Sequence, residues 1–384
     1  MKLLFVALSD SQETYYKSLA EHKGIQAKVI RIKHFKHGSF LKGLKWVKDN
    51  KLNAMDWLTF KLLKSKSKSK SKSKSKKIIY LFSSLVKYAL FVDMLRFLDA
   101  LHTVFFIFKP DALIVLNGAH YKQQAAINLA ENFQTKVIFI ELGCLPNTTM
   151  VDDQGVNANA SIPRDKNFYQ NYRSTSEYHL SANLVPRESK VPKQVNQNLP
   201  DKFIFVPFQV HDDTQVLLQS PWIVSMWDLY QKFENALTKL HADYSIVFKE
   251  HPSDTQRYPE LYEKNSRLIF ANGNDTQELI EQAAAVVTIN STVGIEALLF
   301  KKPTITLGNA FYNVDSMVYM AENQKILNNL LESPNQLKFN NELTSKFFHY
   351  LSNTHLVFGK PKNYDQQHLQ DMILLIKRFI IKSN

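Results

Sequence analysis

Short apolar runs that end in polar residues recur along the chain, and this alternation limits the fold more than any other feature of the sequence. Each run has the length of a β-strand, and stretches with helical spacing lie between the runs. Because alternating strands and helices form parallel sheets covered on both faces, the pattern predicts doubly wound α/β domains. The runs occupy residues 3–8, 112–116, 136–140, 203–208, 245–248, 267–270, 285–289 and 304–307.

The chain is long enough for two such domains. Its 384 residues are 45% hydrophobic, and a domain typically contains about 100–200 residues. We expect an N-terminal Rossmann-like domain over residues 1–185, with a basic insertion at about 31–77, and a C-terminal one over residues 200–360. The polar segment 171–200 is the predicted linker. A helix within residues 361–384 is expected to pack across both domains.

The positive charge of the chain is concentrated in the insertion. The net charge is +13, and the stretch from Arg31 to Lys77 alone contains sixteen basic and two acidic side chains. Such a block suits a polyanion, either nucleic acid or an anionic membrane surface. Interleaved apolar residues favour an amphipathic segment at a membrane interface, although a solvated loop remains open. Residues 64–76 alternate lysine and serine, which predicts disorder.

The segment that follows the repeat, residues 78–108, is rich in Leu, Phe and Tyr but carries several charges. Charges at that frequency argue against a helix that spans a membrane. We expect a pair of helices there, either buried or docked on the surface.

Polar residues follow the predicted strands at the positions where open α/β sheets bind ligands, outside the carboxyl ends of the strands. These residues are of types that bind or react, so they are the candidates for a site. They are Ser9 to Ser11, Asn117 to His120, Glu141 to Gly143, Gln209 to Asp213, Lys249 to Pro252 and Asn290 to Thr292.

Asn290, Ser291 and Thr292 stand between an apolar run and a helix that contains Gly294. The free N–H groups and the dipole at a helix start bind anions, and Gly294 would let the backbone approach a phosphate closely. Glu296, one turn further on, is either a solvated acid or an acceptor for ribose hydroxyls. An ordinary helix cap with a packing glycine remains open.

Lys249 and His251 directly follow another predicted strand, and Pro252 fixes the turn that carries the imidazole. They form a second candidate for anion binding, although a structural histidine remains open. Asp212 and Asp213 are adjacent, whereas metal-dependent sugar transferases use a spaced Asp-x-Asp. Because clusters with metal-ligand spacing are also absent from the sequence, we expect a mechanism without metal or other cofactor.

Several function classes lose support from the sequence. It contains no Gly-x-Gly-x-x-Gly motif, no Walker loop and no serine nucleophile elbow, which argues against dinucleotide oxidoreductases, NTPases and α/β-hydrolases. A nucleic-acid binder is the weakest option, because the charge lies in a repeat. The single cysteine, Cys144, excludes internal disulfides.

Four segments together resemble the capsule-polysaccharide β-Kdo transferases of the KpsS/KpsC type. They are FVPFQVHDDTQVLLQSPW, FKEHPSD, TINSTVGIEALLFKKPTITLGNAFY, and ELG followed by GVNANASIPRDKNFY, and they span residues 138–312 in consistent order. At one module, the chain is similar to the single-module KpsS kind. The resemblance implies a GT-B-like α/β fold, with two Rossmann-like domains that face a cleft, an N-terminal acceptor domain and a C-terminal nucleotide-sugar domain.

The resemblance also implies the reaction and its partners. The donor would be CMP-Kdo, the product a β-Kdo linkage made with retention, and the acceptor a phospholipid of the lysophosphatidylglycerol type at the inner face of the bacterial inner membrane. The protein would then be cytoplasmic and peripheral, with the basic segment on the anionic surface and capsule assembly or export proteins as partners. Two alternatives remain: another donor, such as CMP-sialic acid or a UDP-sugar, and a non-catalytic factor that binds lipid or glycan.

Individual roles follow from the motif positions of the family. His251 and the pair Ser291 and Thr292 are implied to hold the CMP phosphate, Glu296 the ribose, Asp213 to be the nucleophile and Glu141 the acid/base. We count Lys249, Pro252, Asn290 and Gly294 with the phosphate site and expect Gln209, Asn117 and His120 to support the substrate. The chain departs from the family at residues 144–146, Cys-Leu-Pro in place of an Arg-Pro pair, which leaves acceptor recognition less defined than donor recognition.

Overall fold

The computed structural model describes residues 1–58, 61, 76–173 and 194–381. The lysine–serine repeat falls almost wholly outside these residues, and so does most of the predicted linker. The disorder predicted for the repeat therefore stays a prediction.

Strands and helices alternate along the described residues. The strands are β1 (Lys2–Ala7), β2 (Gln26–Arg31), β3 (Ala112–Leu116), β4 (Lys136–Leu142), β5 (Thr148–Asp152), β6 (Phe203–Pro207), β7 (Ser245–Lys249), β8 (Leu268–Phe270), β9 (Ala285–Thr288), β10 (Thr304–Thr306), β11 (Tyr319–Met320) and β12 (Leu356–Phe358). The helices are α1 (Asp10–Ala20), α2 (Phe40–Asp49), α3 (Lys76–Phe108), α4 (Tyr121–Asn132), α5 (Lys166–Asn171), α6 (Thr214–Gln219), α7 (Met226–Ala236), α8 (Thr276–Gln282), α9 (Val293–Leu299), α10 (Gln324–Glu332), α11 (Asn341–Thr354) and α12 (Gln366–Ile381).

The chain divides into two compact units, each built on one sheet. The first unit contains residues 1–143, 147–161 and 354–384, and the second contains residues 144–146 and 162–353. These boundaries correct those drawn from the sequence, because the chain enters the second unit after Ser161 and not at the predicted linker. The helix α5 explains the shift, since its Tyr169 is fully buried against Phe347 and Tyr350 of the second unit.

The sheet of the first unit has the strand order β12-β5-β4-β3-β1-β2. Strands β2, β1, β3 and β4 are parallel, and β5 and β12 extend the sheet in antiparallel pairing. After β1 the chain adds β2 on one side and then β3 on the other, so the order reverses between β1 and β3. Such a reversal opens a crevice at the carboxyl ends of the two strands.

The sheet of the second unit is parallel throughout, with the order β11-β10-β9-β6-β7-β8. Numbered within the unit, this order is 3-2-1-4-5-6 read from the β8 edge, the order of dinucleotide-binding folds. The direction of winding reverses between β6 and β9. Fully buried residues of these two strands, including Val206 and Val287, lie in the core beneath that point. The predicted fold class, α/β with two Rossmann-like domains, is confirmed.

The C-terminal helix α12 joins the first unit. Its buried side chains, among them Met372 and Ile376, belong to the same core cluster as Phe5 and Ile138. Before it, β12 pairs with β5, and Thr149 donates a hydrogen bond of 2.8 Å to the carbonyl of Gly359. The sequence predicted that this helix packs across both domains. These contacts assign it to the first unit, because the preceding strand β12 pairs with the sheet of that unit.

Within the described part of the basic insertion, α2 packs onto α3. Gly43 of α2 lies where a Cβ atom would meet the backbone of Leu95, with the carbonyl carbon at 2.8 Å, so α2 crosses α3 closely. Asp99 of α3 accepts a hydrogen bond of 2.7 Å from the Ser39 backbone N–H. The predicted pair of helices is wrong, because α3 runs unbroken from Lys76 to Phe108. Among the described residues, no helix combines the length and the apolar character that crossing a membrane requires.

Candidate functional site

Two loops meet where the winding of the second sheet reverses. Gln209, after β6, donates from Nε2 to Oδ1 of Asn290 at 3.1 Å, and its Oε1 accepts from the Asn290 N–H at 3.3 Å. Asn290 also donates to the carbonyl groups of Gln215 and Gln219. Both side-chain amides are buried, and their hydrogen bonds hold the loop after β6 against the loop after β9. Direct contact of either residue with a substrate stays a prediction.

Ser291 and Thr292 lie half-exposed at the start of α9. The Ser291 hydroxyl accepts from the Val293 N–H at 3.2 Å, while its carbonyl accepts from the Tyr312 hydroxyl at 2.6 Å. The fully buried Tyr312 also explains Gly294, since a Cβ there would lie 2.8 Å from the ring carbon Cζ and nearer still to the phenol oxygen. The glycine is therefore required for packing, and its close approach to a phosphate stays a prediction.

Asp213 occupies the N-cap of α6. Its Oδ1 accepts from the Gln215 N–H at 2.9 Å, and its own N–H closes a turn onto the Val210 carbonyl at 2.9 Å. One carboxylate oxygen is thus engaged by the helix start, and this bond fixes the direction of the side chain. The nucleophile predicted from the sequence stands at the reversal of the sheet, on the loop after β6.

His251 and Pro252 form a tight turn after β7. The Asp254 N–H donates to the His251 carbonyl at 3.0 Å, which places Pro252 at the turn position that proline favours. The Ser253 N–H donates to Nδ1 of His251 at 3.1 Å. Because Nδ1 accepts, the neutral ring carries its proton on Nε2, the atom that a phosphate oxygen would bind.

Lys249 is half-buried at the end of β7. Its Nζ donates to the backbone carbonyl of Asn274. Burial lowers the pKa of Lys249, and the nearby carboxylates of Asp275 and Glu278 oppose that effect. The amine therefore ties β7 to the loop after β8, and its role at a phosphate stays a prediction.

Three residues near His251 lie in the quoted segments but received no individual role from the sequence: Glu250, His211 and Asp254. Glu250 is buried, accepts from the Tyr258 N–H at 2.9 Å and pairs with Arg257 at 3.3 Å. Burial raises the pKa of Glu250. His211 pairs with the buried Asp254. The signal available in the sequence was that these polar residues follow strands.

In the first unit, Asn117 and Glu141 contact each other at the carboxyl ends of β3 and β4. Asn117 Nδ2 donates to Glu141 Oε2 at 2.9 Å, and the Leu142 N–H donates to Oε1 at 2.9 Å. Tyr16 is buried, and burial followed by the charge of Glu141 raises the pKa of its phenol. The structure thus joins two of the predicted residues, with Asn117 directing the carboxylate.

His120 caps α4, since its Nδ1 accepts from the Lys122 N–H at 3.3 Å. Burial, followed by the charges of Lys61 and Lys122, lowers the pKa of His120 to about 4, so the ring is neutral at pH 7. Lys122 is buried and pairs with Asp93 of α3 at 2.9 Å. This network anchors α4 to α3 and gives His120 a structural contact; a substrate contact stays a prediction.

The predicted site residues fall into the two units. Glu141, Asn117 and His120 belong to the first, and Asp213, His251, Ser291, Glu296 and the remaining candidates belong to the second. Within the described residues no group of three or more His, Cys, Asp or Glu side chains has the arrangement of a metal site. A shared cleft for Asp213 and Glu141 stays a prediction.

Comparisons with known proteins find a family match that lies within the second unit. Residues 170–352 match the family model described as "Capsule polysaccharide biosynthesis protein". The chain is 39% identical over 247 residues to Protein FixF of Sinorhizobium fredii, which covers 64% of this chain and 60% of the relative. It is 24% identical over 237 residues to the capsule polysaccharide export protein KpsS of Escherichia coli, covering 45% of this chain and 60% of the relative. The chain therefore spans about three fifths of these two relatives.

Among solved structures, the chain is similar to Thermosulfurimonas dismutans KpsC, a β-Kdo 2,7 transferase. The similarity covers 99% of each chain with a TM-score of 0.50 at 12% sequence identity, and it bears on the fold alone. Together with the parallel sheets, it supports the GT-B-like architecture. The resemblance inferred from the motifs is thus confirmed: residues 170–352 match the model of the capsule polysaccharide biosynthesis family, and the chain is similar in sequence to KpsS.

Proposed function

We propose that the protein is a retaining β-Kdo glycosyltransferase. It moves Kdo from CMP-Kdo to a phospholipid acceptor of the lysophosphatidylglycerol type and so starts the poly-Kdo linker of a capsular polysaccharide. It needs no metal or other cofactor, and it works at the cytoplasmic face of the inner membrane, together with capsule assembly or export proteins.

The observation that carries the proposal is the position of the family motifs in the second sheet. The loop 209–213, the turn 251–254 and the residues 290–292 follow β6, β7 and β9, and β6 and β9 flank the reversal of strand order. Nucleotides bind at such reversals in open parallel sheets. Two motifs of one family therefore flank the reversal and the third follows the neighbouring strand β7, which supports a nucleotide-binding role for these loops.

The residues there suit a departing nucleotide. CMP leaves as a phosphate that is already a stable anion, so neutralising its charge helps more than protonating it. The Nε2–H of His251, directed by the bond from Ser253 to Nδ1, and the hydroxyls of Ser291 and Thr292 supply donors. Glu296, one turn into α9, accepts from the ribose hydroxyls.

Retention is explained by two displacements. Asp213, held by its cap bond, attacks the anomeric carbon as CMP leaves, and a glycosyl ester forms. Glu141 then takes the proton of the acceptor hydroxyl as that oxygen displaces Asp213. Asn117 and the Leu142 N–H both donate to Glu141, and a carboxylate that only accepts hydrogen bonds suits a base.

The membrane acceptor fits the exposed face of α2. Lys42, Lys45 and Lys48 recur along this helix and are exposed, while Gly43 and Val47 pack inward. A basic side chain near an anionic surface contributes about 1 kcal/mol. Replacing the three lysines by alanine is expected to weaken binding to anionic vesicles by about 3 kcal/mol, from the same value, which vesicle sedimentation measures.

A matched variant controls for the loss of charge. Three lysines of the second unit, also exposed, are replaced by alanine in the same way; they are Lys239, Lys325 and Lys338. This variant is expected to bind vesicles like the wild type. Equal loss in both variants, or none in either, would contradict a role for α2.

The enzymatic test incubates the protein with CMP-Kdo and lysophosphatidylglycerol and follows CMP release and product mass. Asp213→Asn is expected to abolish transfer with the fold intact, since asparagine also caps helices well. Asp243→Asn, at an exposed ion pair with Lys202, is expected to keep full activity. If nucleotide is released only from CMP-sialic acid or a UDP-sugar, the assignment of CMP-Kdo as the donor is wrong. If the protein binds lipid but turns over no donor, a non-catalytic assembly factor is favoured.

A further inference from the structure

We propose that His211 is a further ligand-binding residue of this site: its imidazole, held by Asp254, presents Nε2 to an anionic oxygen of the donor. The inference rests on the proposed function and names a contact that none of the predicted site residues supplies.

Asp254 holds His211 at two points. Its Oδ2 accepts from the His211 backbone N–H at 2.9 Å, and its Oδ1 lies 2.6 Å from Nδ1 of the ring. Asp254 is only 2% exposed and also accepts from the Gln256 N–H at 3.0 Å. This buried carboxylate therefore accepts from two backbone N–H groups and contacts the ring of His211.

The pairing determines the form of the imidazole. An ionised carboxylate can only accept, so Nδ1 of His211 carries the proton and donates it to Asp254. Burying a carboxylate is costly unless a partner compensates its charge. An imidazolium carries a second N–H at Nε2, and the proposal assigns this form to the state in which an anionic ligand is bound.

Nε2 is available for a ligand. Among residues 1–58, 61, 76–173 and 194–381, no hydrogen-bond partner is found for this atom. The side chain is 18% exposed, so the ring is neither buried in the core nor spread on the surface. A bond at one nitrogen and an unoccupied donor at the other is the usual arrangement of a histidine that acts on a ligand.

The position of the ring matches the proposed site. His211 lies in the turn that the Asp213 N–H closes onto Val210, directly after β6, and Asp254 comes from the turn of His251 after β7. The pair therefore joins the loop of the proposed nucleophile to the turn of the proposed phosphate ligand. It connects two strands at whose carboxyl ends this fold binds ligands.

The ligand chemistry is an anionic oxygen. A nucleotide-activated acidic sugar offers two sources, the phosphate and the carboxylate of the sugar, and a charge-assisted hydrogen bond suits both. A contact to the phosphate would serve any CMP-linked donor. A contact to the carboxylate would select acidic sugars.

The test separates the two nitrogens of the ring. His211→Asn keeps a donor toward Asp254 near the position of Nδ1 but removes Nε2, whereas His211→Gln places an amide near the position of Nε2. Affinities are measured by calorimetry for CMP alone with otherwise wild-type protein, and for CMP-Kdo in an Asp213→Asn background that prevents turnover. Melting temperatures report whether each variant keeps its fold.

We expect His211→Asn to melt like the wild type and to bind CMP-Kdo about 10- to 100-fold more weakly, the range for a hydrogen bond to a charged group. His211→Gln is expected to restore part of that affinity. Weaker binding of CMP itself assigns the contact to the phosphate, and unchanged CMP binding assigns it to the sugar carboxylate.

Two results overturn the inference in different ways. If the parent protein binds both ligands and His211→Asn binds them equally well, His211 only clamps two loops, and the proposed transferase stands without it. If the parent protein binds neither ligand, the CMP-linked donor itself is wrong, and the inference falls with the proposed function.

Discussion

Gly294→Ala tests the packing of the loop that contains Ser291. In the structure, Tyr312 is fully buried and lies against Gly294, and an added Cβ would sit 2.8 Å from Cζ and 2.9 Å from Cε2. Both distances are shorter than real Cβ contacts allow. The tyrosine therefore has to shift, and its hydrogen bond to the Ser291 carbonyl at 2.6 Å is lost.

The magnitude combines two effects. Overpacking a close-packed core costs about 1–3 kcal/mol, and a hydrogen bond contributes about 0.5–1.5 kcal/mol net. Because the Gly294 N–H still donates to the Ser291 carbonyl, that oxygen keeps one partner. We expect Gly294→Ala to lower the free energy of unfolding by roughly 2–4 kcal/mol, from the same two terms.

Unfolding in urea is measured by the extent to which Cys144 becomes alkylated at each urea concentration. Cys144 is the single cysteine of the chain and belongs to the second unit. Tyr312→Phe serves as the matched variant, since it removes the phenol oxygen and leaves the ring. The double variant is expected to lose less stability than the sum of the single ones, because the nearest clashing atom is gone. A Gly294→Ala protein as stable as the wild type, or strictly additive losses, would refute this explanation of the glycine.

Three further predictions concern other parts of the chain. Burial raises the pKa of the Cys144 thiol to about 12, so the folded protein is expected to resist alkylation at pH 8 and to react fully in urea; rapid labelling without urea would contradict its burial. His368 accepts from the Tyr15 hydroxyl at 2.7 Å, and burial lowers its pKa; the neutral ring is therefore stabilised in the folded state, so the melting temperature should fall as the pH drops below about 6.5, the unfolded value, and fall less in His368→Gln. Gly43→Ala, which in most helices stabilises by up to about 1 kcal/mol, is expected to lower the melting temperature instead, because its Cβ would meet the rigid backbone of Leu95.

The central strands were predictable because each is a continuous apolar run, and β3 matches its predicted run at both ends. Strands β2 and β5 were missed for a physical reason. β2 lies at the edge of its sheet, and its first four residues alternate exposed with half-buried positions. β5 begins with two threonines and ends in aspartate. Their strand conformation comes from pairing with distant segments, which the local sequence does not report.

The local sequence was also insufficient to predict where a helix begins. Ser220 followed by proline predicts a helix from that point, but α7 begins at Met226 with Ser225 as its cap, which accepts from the Asp228 N–H at 3.0 Å. Ser220 instead ends α6 and donates to the Ile223 carbonyl. Ser225 therefore caps α7, and the buried face of the helix begins at Met226.

For the candidate site, too, part could be predicted from the sequence and part could not. The sequence indicates which loops carry it, because polar residues after buried strands are visible without a structure. It does not indicate which of those residues are engaged in internal contacts, such as Gln209 with Asn290 or Lys249 with Asn274. His211 and Asp254 are 43 residues apart in the chain. The sequence pattern around either residue therefore does not predict their pairing.

The central claim, that Asp213 forms a glycosyl ester, is tested most directly by the intact mass of Glu141→Gln after incubation with CMP-Kdo without acceptor. We predict that the protein gains the mass of one Kdo residue, that peptide mapping assigns it to Asp213, and that Asp213→Asn shows no gain. CMP release without any covalent adduct, or an adduct on another residue, would contradict the account.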